Sequence, residues 1–246
     1  PIHEGNGMSM TFVLVHGAWH GGWCWDGVAG LLRARGHRVS APTQSGLAER
    51  AHLLSREVTL ETFIDDITSH ILSEDAHDIV LVGHSFAGSS ISGAAERLPD
   101  RIRSLIYLDA IIVEAGETPL DQFGPEVRAR RLNAANESSG GLSIPIPTAE
   151  AMGVSDPAQA AWLIHRLTPH PLSTFDSPLR ISGKPGAGHR CHYIRVTHPV
   201  YAPLEASRSR AWAYGWPIHD IATGHDAMIT APHALAELLI DLGQIG

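Results

Sequence analysis

The sequence predicts an α/β protein built on a mostly parallel sheet with helices on its faces, and three observations carry that prediction. Thr11 to His16 and Ile79 to Val82 are short aliphatic and β-branched runs, as strands covered on both faces require. Thr59 to Leu72 has helical period, with Leu60, Phe63, Ile64, Ile67 and Ile71 in one apolar stripe. The elements alternate strand, helix, strand, helix, the order that yields a parallel sheet. At 246 residues with 43% apolar content, one large domain has an ample core and no second domain is needed.

The first strand, Thr11 to His16, runs into Gly17, Ala18, Trp19, His20, Gly21 and Gly22, a loop that precedes a helix from about Asp26 to Arg35. Glycine at such a place lets backbone approach a ligand closely. Trp19, Trp23 and Trp25 read first as packing residues. Gly36 to Pro42 supplies the next short strand, followed by the helix at Thr59 to Leu72.

Residues 79 to 90, IVLVGHSFAGSS, organise the rest. A buried strand ends in small residues that bracket Ser85, and Gly88 to Arg97 then reads as a helix stopped before Pro99. Strand, sharp turn and helix in this order hold a serine in a strained conformation with its hydroxyl above the carboxyl edge of the sheet. Gly83 and Ala87 meet the size demand two residues before and after; the usual G-x-S-x-G pattern has glycine where Ala87 stands, and Gly88 is adjacent. Ser85 is therefore the candidate nucleophile.

Arg101 to Asp109 is a further buried strand that delivers an acid, Asp109, to the same edge. From about 113 to 188 the pattern breaks into Gly, Pro and Ser clusters with one helix at 157–167, which predicts a cap insertion that walls the pocket. Trp162 and Phe175 within it, and Trp19 in the early loop, are candidate substrate-binding residues. Strand character returns at His192 to Thr197, then come a helix from Pro203 to Ala213, a strand from Trp216 to Ala222 and a final helix from Pro232 to Leu242.

His225 follows the last strand through a glycine turn and returns to the edge where Ser85 emerges. A serine hydroxyl needs a positioned base to take its proton, and histidine suits that task near neutral pH. Sixteen histidines make any one of them weak on its own; chain order singles out His225. His189, Cys191 and His192 could suggest a metal, but they sit at a strand entry with no further ligand cluster, so no metal is expected.

Composition excludes several classes. Eighteen basic against 26 acidic residues give a formal charge of −8, which argues against nucleic acid and offers no basic patch to a membrane, so the expected partner is a small molecule. Lys184 is the single lysine, which removes most Schiff-base chemistry. Cys24 and Cys191 read as reduced thiols. No run reaches membrane-spanning length, and residues 1–10 read as a flexible tail without signal-peptide character, so the expected location is cytoplasmic. A homodimer is the default oligomer.

On the stretches FVLVHGAWHGGWCW, LVGHSFAGSS, LIYLDA and ATGHDAMITAP, the chain from Thr11 onward resembles the α/β-hydrolase superfamily. The branch it resembles holds plant methyl-ester esterases, hydroxynitrile lyases and bacterial carbamate esterases. The resemblance implies an eight-stranded sheet, Ser85 as nucleophile, His225 as base, Ala18 and Phe86 as oxyanion donors, and no cofactor. In this branch the triad acid usually follows the strand that here ends at Thr197, but Pro199 occupies its place. One subgroup of related dehalogenases carries the acid at the end of the strand after the nucleophile helix, which here is Asp109; Asp220 and Glu205 are weaker stand-ins. The expected activity is hydrolysis of a small carboxylic ester, with an aryl carbamate as the alternative. Lyases of the branch carry threonine and lysine where Gly17 and Asp226 stand here. A non-catalytic receptor on the same fold is the third reading.

Overall fold

The computed structural model describes residues 8–186 and 188–245. Most of the tail expected at 1–10 lies outside these residues, but its end does not behave as a tail. Met10 is buried, its N–H donates to His37 Nδ1, and Ser9 Oγ donates to the Gly36 carbonyl.

The chain enters through β1 (Thr11–Val15), crosses through α1 (Asp26–Ala34) to β2 (Arg38–Ser40), and returns through α2 (Leu60–Ser73) to β3 (Ile79–His84). Thr59 caps α2 in a reciprocal box with Thr62, so the helix begins at Leu60, the first residue of its apolar stripe, one residue after the predicted start. α3 (Ala87–Arg97) then leads to β4 (Ile102–Leu108). The segment that follows contains α4 (Pro125–Ser139), β5 (Ser143–Ile144), α5 (Pro157–Arg166), β6 (His170–Pro171) and α6 (Leu172–Phe175). The chain rejoins the sheet in β7 (Arg190–Val196), α7 (Glu205–Ala213) and β8 (Ile218–Ile221), and closes with α8 (Ala227–Thr230) and α9 (Pro232–Gln244).

The central sheet runs β2-β1-β3-β4-β7-β8, with every pair parallel. Alternation along β1 sends Phe12 and Leu14 to one face, with Trp25, Leu32 and Leu239, and Val13 and Val15 to the other, with Phe63, Ile64 and Ile91. Helices therefore cover both faces, as the predicted fold class requires. The strand count is corrected: six strands form this sheet among the described residues, not eight. The extended residues of the segment between β4 and β7 pair with each other instead, Ser143 with Pro171 and Ile144 with His170, in a small antiparallel ribbon.

That ribbon lies over the carboxyl edge of the sheet. Trp19 Nε1–H donates to the Ile144 carbonyl, the Trp19 peptide N–H to His170 Nδ1, and the Asp226 N–H to the Met152 carbonyl. A Cβ on Gly153 would sit 2.7 Å from the Gly224 Cα, so the segment touches the loop that carries His225 at backbone contact.

Candidate active site

Ser85 sits at the point where β3 gives way to α3, with φ at +54°. A residue with a side chain reaches that region only when its surroundings over-determine it, and here they do. The Ser85 N–H donates to the Leu108 carbonyl, and the Ser85 carbonyl accepts from the Gly88 and Ile111 N–H groups. The small neighbours divide the task unevenly. A Cβ on Gly83 would meet the Ala87 carbonyl at 3.0 Å, whereas one on Gly88 would meet the Ile111 carbonyl at 2.1 Å. Position 87 accommodates its methyl group, buried in the core, and position 88 is the one that must stay bare. This explains why the departure from G-x-S-x-G at Ala87 leaves the turn intact.

Asp109 ends β4 in the same manner, with φ at +39° and its N–H on the Ile194 carbonyl, so it emerges beside Ser85 at the same edge. His225 arrives from the loop after β8. Its Nε2 lies 2.9 Å from Ser85 Oγ and its Nδ1 2.7 Å from Asp109 Oδ2, with both His225 and Asp109 buried. An Nδ1–H donated to the carboxylate leaves the Nε2 lone pair facing the serine hydroxyl, the arrangement in which imidazole can take a proton from it. Ser85 itself is half-buried.

Pro199 is exposed, and residues 197–204 between β7 and α7 contain no acid. Asp220 is paired with Arg195 on the surface and Glu205 with Arg208, so neither stand-in reaches His225. Arg208, from α7, was not marked by any sequence pattern; its Nη1 lies 3.4 Å from Asp109 Oδ1 and donates to the Tyr201 carbonyl. Tyr201 was equally unmarked, and its ring stacks on His225 at 3.8 Å with 14° between planes.

The early loop brings Ala18 and Trp19 to the same place, Trp19 with φ at +66°. A Cβ on Gly17 would lie 2.8 Å from the Ser85 Cβ, so the loop backbone packs directly against the serine. Among the hydrogen bonds of the described residues, neither the Ala18 nor the Phe86 N–H has a protein acceptor. Two histidines brace this loop. Burial drives His16 down to about 3, so it is neutral; Gln44 N–H occupies its Nε2, and its Nδ1–H donates to the Gly17 carbonyl at 2.8 Å. That carbonyl belongs to the peptide whose N–H is Ala18's, and such a bond strengthens the opposite end of the peptide as a donor. His20 holds the Ala18 carbonyl at 2.7 Å through Nδ1 and Asp226 Oδ2 at 2.9 Å through Nε2.

The three pocket candidates separate. Phe175 is buried against Phe86, with ring centroids 4.6 Å apart, and Trp19 adjoins Ala18. Trp162 does not join them: it lies edge-on to Trp23 in a surface depression with Gln159 and Met228 that contains none of Ser85, His225 and Asp109. Cys191 and His192 point to opposite faces of β7, the thiol donating weakly to the Gly186 carbonyl and the imidazole meeting His219. No group of three metal-capable side chains occurs among the described residues. Both cysteines are free thiols. No helix among the described residues is long and apolar enough to cross a membrane.

A parallel sheet with a strained serine at one strand end and a histidine facing it defines a hydrolase of the α/β class. The chain belongs to the alpha/beta hydrolase family, whose profile matches residues 12–238. It is 40% identical over 245 residues to a carbendazim hydrolyzing esterase from Nocardioides sp. (strain SG-4G), covering 95% of this chain and 99% of that one. Methylesterase 1 of Arabidopsis thaliana is 38% identical over 119 residues, 46% of this chain and 45% of that protein. Among solved structures, an extracellular alpha/beta-hydrolase from a Paenibacillus species superposes with a TM-score of 0.82 at 25% identity, over 94% of this chain and 98% of that one. The protein is an enzyme of the esterase type.

Proposed function

We propose that the protein hydrolyses small carboxylic esters through Ser85, His225 and Asp109, with Ala18 and Phe86 as oxyanion donors. The reading is carried by the unbroken hydrogen-bond chain from Ser85 Oγ through the His225 ring to Asp109. Ser85 Oγ attacks the carbonyl carbon while His225 Nε2 takes its proton. The oxyanion rests on the Ala18 and Phe86 N–H groups, which have no other acceptor among the described residues. Collapse of the adduct expels the alcohol, protonated by His225, and leaves an ester on Ser85. Water, deprotonated by the same nitrogen, then releases the acid. The segment at 113–188 acts as the cap over this chemistry. No cofactor is required.

A carbamate is the second reading. The 40% identical Nocardioides relative favours it, and the same acyl-transfer steps serve both substrates. The lyase reading is disfavoured by two features. A Cβ at Gly17 would lie 2.8 Å from the Ser85 Cβ, and position 226 carries an acid paired with His20, so the chain offers neither the hydroxyl nor the cation of the lyases at these places.

The test is turnover of p-nitrophenyl acetate with a panel of methyl esters, lactones, aryl carbamates and amides, run beside Ser85→Ala. Ester or carbamate hydrolysis that vanishes in the variant is the expected result. Undiminished turnover by Ser85→Ala would remove the mechanism.

A further inference from the structure

The side chain that the mechanism does not use is Arg131. It projects from α4, and its guanidinium carbon lies over the rings of Phe123, Phe175 and Trp19 at 4.0, 5.1 and 5.6 Å. These rings are neighbours of the candidate oxyanion donors: Phe175 packs on Phe86, and Trp19 follows Ala18. On another side stands Tyr201, whose ring covers His225 and whose hydroxyl supports the positive charge. Arg131 is therefore connected to the site through both its oxyanion side and its histidine side.

The charge is unmatched. No carboxylate is among the groups acting on Arg131, and its Nη1 is shut off from solvent with no hydrogen-bond partner among the described residues. Burial and the neighbouring Arg130 hold its pKa below the ordinary value, although a guanidinium stays protonated throughout the working range of an enzyme. Stacking on aromatic rings stabilises a desolvated cation. Withdrawing a charge from water costs more than such stacking returns, so the aromatic box alone does not balance it. Buried arginines ordinarily sit against an acid, as Arg208 does beside Asp109. The Tyr201 hydroxyl accepts one hydrogen bond from the guanidinium, and what remains without a partner among the described residues is Nη1, a charged donor that suits a carboxylate oxygen.

We propose that Arg131 binds a carboxylate carried by the substrate, so that the preferred substrates are small esters bearing one free carboxylate. The proposal rests on the esterase reading and specifies its substrate class. The carboxylate docks on Arg131 Nη1 and the ester carbonyl lies at Ser85, with the aromatic rings packing the carbon chain between them.

The experiment separates binding from turnover. Calorimetric titration of Ser85→Ala with monomethyl glutarate and with dimethyl glutarate reads the Arg131 contact whether or not the wild type turns over either compound. The half-ester should bind at least tenfold more tightly. Adding Arg131→Met should lower half-ester affinity by about a hundredfold, the cost of stranding one member of a buried charge pair, and Arg131→Lys should recover part of it. In the wild type, kcat/KM for monomethyl esters of succinate, glutarate and adipate should exceed that of the dimethyl esters. Acetyl esters of hydroxy acids, tested in parallel, place the carboxylate on the alcohol side instead of the acyl side. Equal or weaker binding of the half-ester by Ser85→Ala overturns the proposal outright, even if Arg131→Met fails to fold; so does a half-ester preference that survives in a folded Arg131→Met. Turnover of p-nitrophenyl acetate by the wild type checks the esterase reading separately.

Discussion

Two buried histidine–aspartate pairs lie side by side in this protein, and only one of them faces the candidate nucleophile, Ser85. His225 meets Asp109 at 2.7 Å and His20 meets Asp226 at 2.9 Å, all four side chains being buried. The difference lies on the second nitrogen of each ring. That of His225 faces Ser85 Oγ, whereas that of His20 faces the Ala18 carbonyl. His84 sits between the pairs, its ring 4.6 Å from His225 and 5.9 Å from His20, with its Nε2–H donated to the His225 carbonyl. A histidine–carboxylate contact is thus not the mark of a catalytic centre. Under the proposed mechanism, what the other nitrogen touches gives one pair the chemistry and the other the holding of the loop that presents Ala18.

The largest effect should come from the groups that react. Ser85→Ala and His225→Ala should each lower kcat by about 10⁴- to 10⁶-fold with the fold retained, because members of such a unit fail together. A steady-state assay with p-nitrophenyl acetate and a circular-dichroism melt measure the two halves. Near wild-type kcat in either variant would erase the distinction between the pairs.

The carboxylates should differ in the same direction. Asp109→Asn should cut kcat by roughly 10²- to 10⁴-fold through the wrong tautomer and an unstabilised imidazolium. Asp226→Asn acts only through the Ala18 loop and should cost far less than the loss of one oxyanion donor, itself worth about 10²-fold or more. Comparing kcat for the two single variants sharpens the assignment. Equal losses would mean that the His20 pair takes part in proton transfer.

Much of this was legible because it is local. The strand at Ile79, the bracketing of Ser85 and the acid at the end of β4 are encoded within a few residues of each other, and parallel pairing of β3, β4 and β7 delivers their ends to one edge. The family and fold class inferred from those stretches hold. What was not legible depends on contacts distant in sequence. His20 and Asp226 are 206 positions apart, and Arg208 and Asp109 are 99 apart. Arg131 lies on α4, whose sequence PEVRARRLNAANESS shows no apolar stripe to mark an inward face. Trp162 looked like pocket lining because aromatic residues in a cap commonly are, yet α5 turns it toward Trp23 on the outer surface. The strand count failed because it came from resemblance, while the two extra pairing partners here lie in the segment above the sheet.

The elbow offers a comparison of intermediate size. Gly88→Ala places a Cβ 2.1 Å from the Ile111 carbonyl, and that carbonyl belongs to the backbone that ties Ser85 in place. The substitution should destabilise the protein by about 1–3 kcal/mol, the usual cost of overpacking a tight core. Ala87→Gly, one residue away, should cost about 1 kcal/mol or less, the helix-propensity difference alone. Urea melts of both variants decide it, and an Ala87→Gly loss larger than that of Gly88→Ala would contradict the assignment of position 88 as the crowded one.

The smallest expected effect concerns protons on the second pair. Burial opposes charge on His20, but the Asp226 carboxylate outweighs it, by charge and by hydrogen bond, and raises the His20 pKa above its ordinary 6.5. A histidine raised in the folded state contributes stability that is complete below the unfolded pKa of about 6.5 and is lost as pH climbs through the folded value. Five other buried histidines, His16, His37, His84, His170 and His192, act in the opposite sense. Burial lowers His16 to about 3 and holds His84 and His170 well below their usual value, so each weakens the fold as pH falls beneath about 6.5. The Tm of the wild type alone therefore mixes both signs. Subtracting the Tm profile of Asp226→Asn leaves mainly the His20 contribution, since the other five histidines keep their burial in that variant. The wild-type advantage should be greatest at pH 5 to 6 and shrink toward pH 9, because without Asp226 burial alone remains to disfavour charge on His20. A difference profile that is flat from pH 5 to 9 would mean that His20 is neutral in the folded protein, and that the Ala18 carbonyl is held by a neutral donor as the Gly17 carbonyl is held by His16.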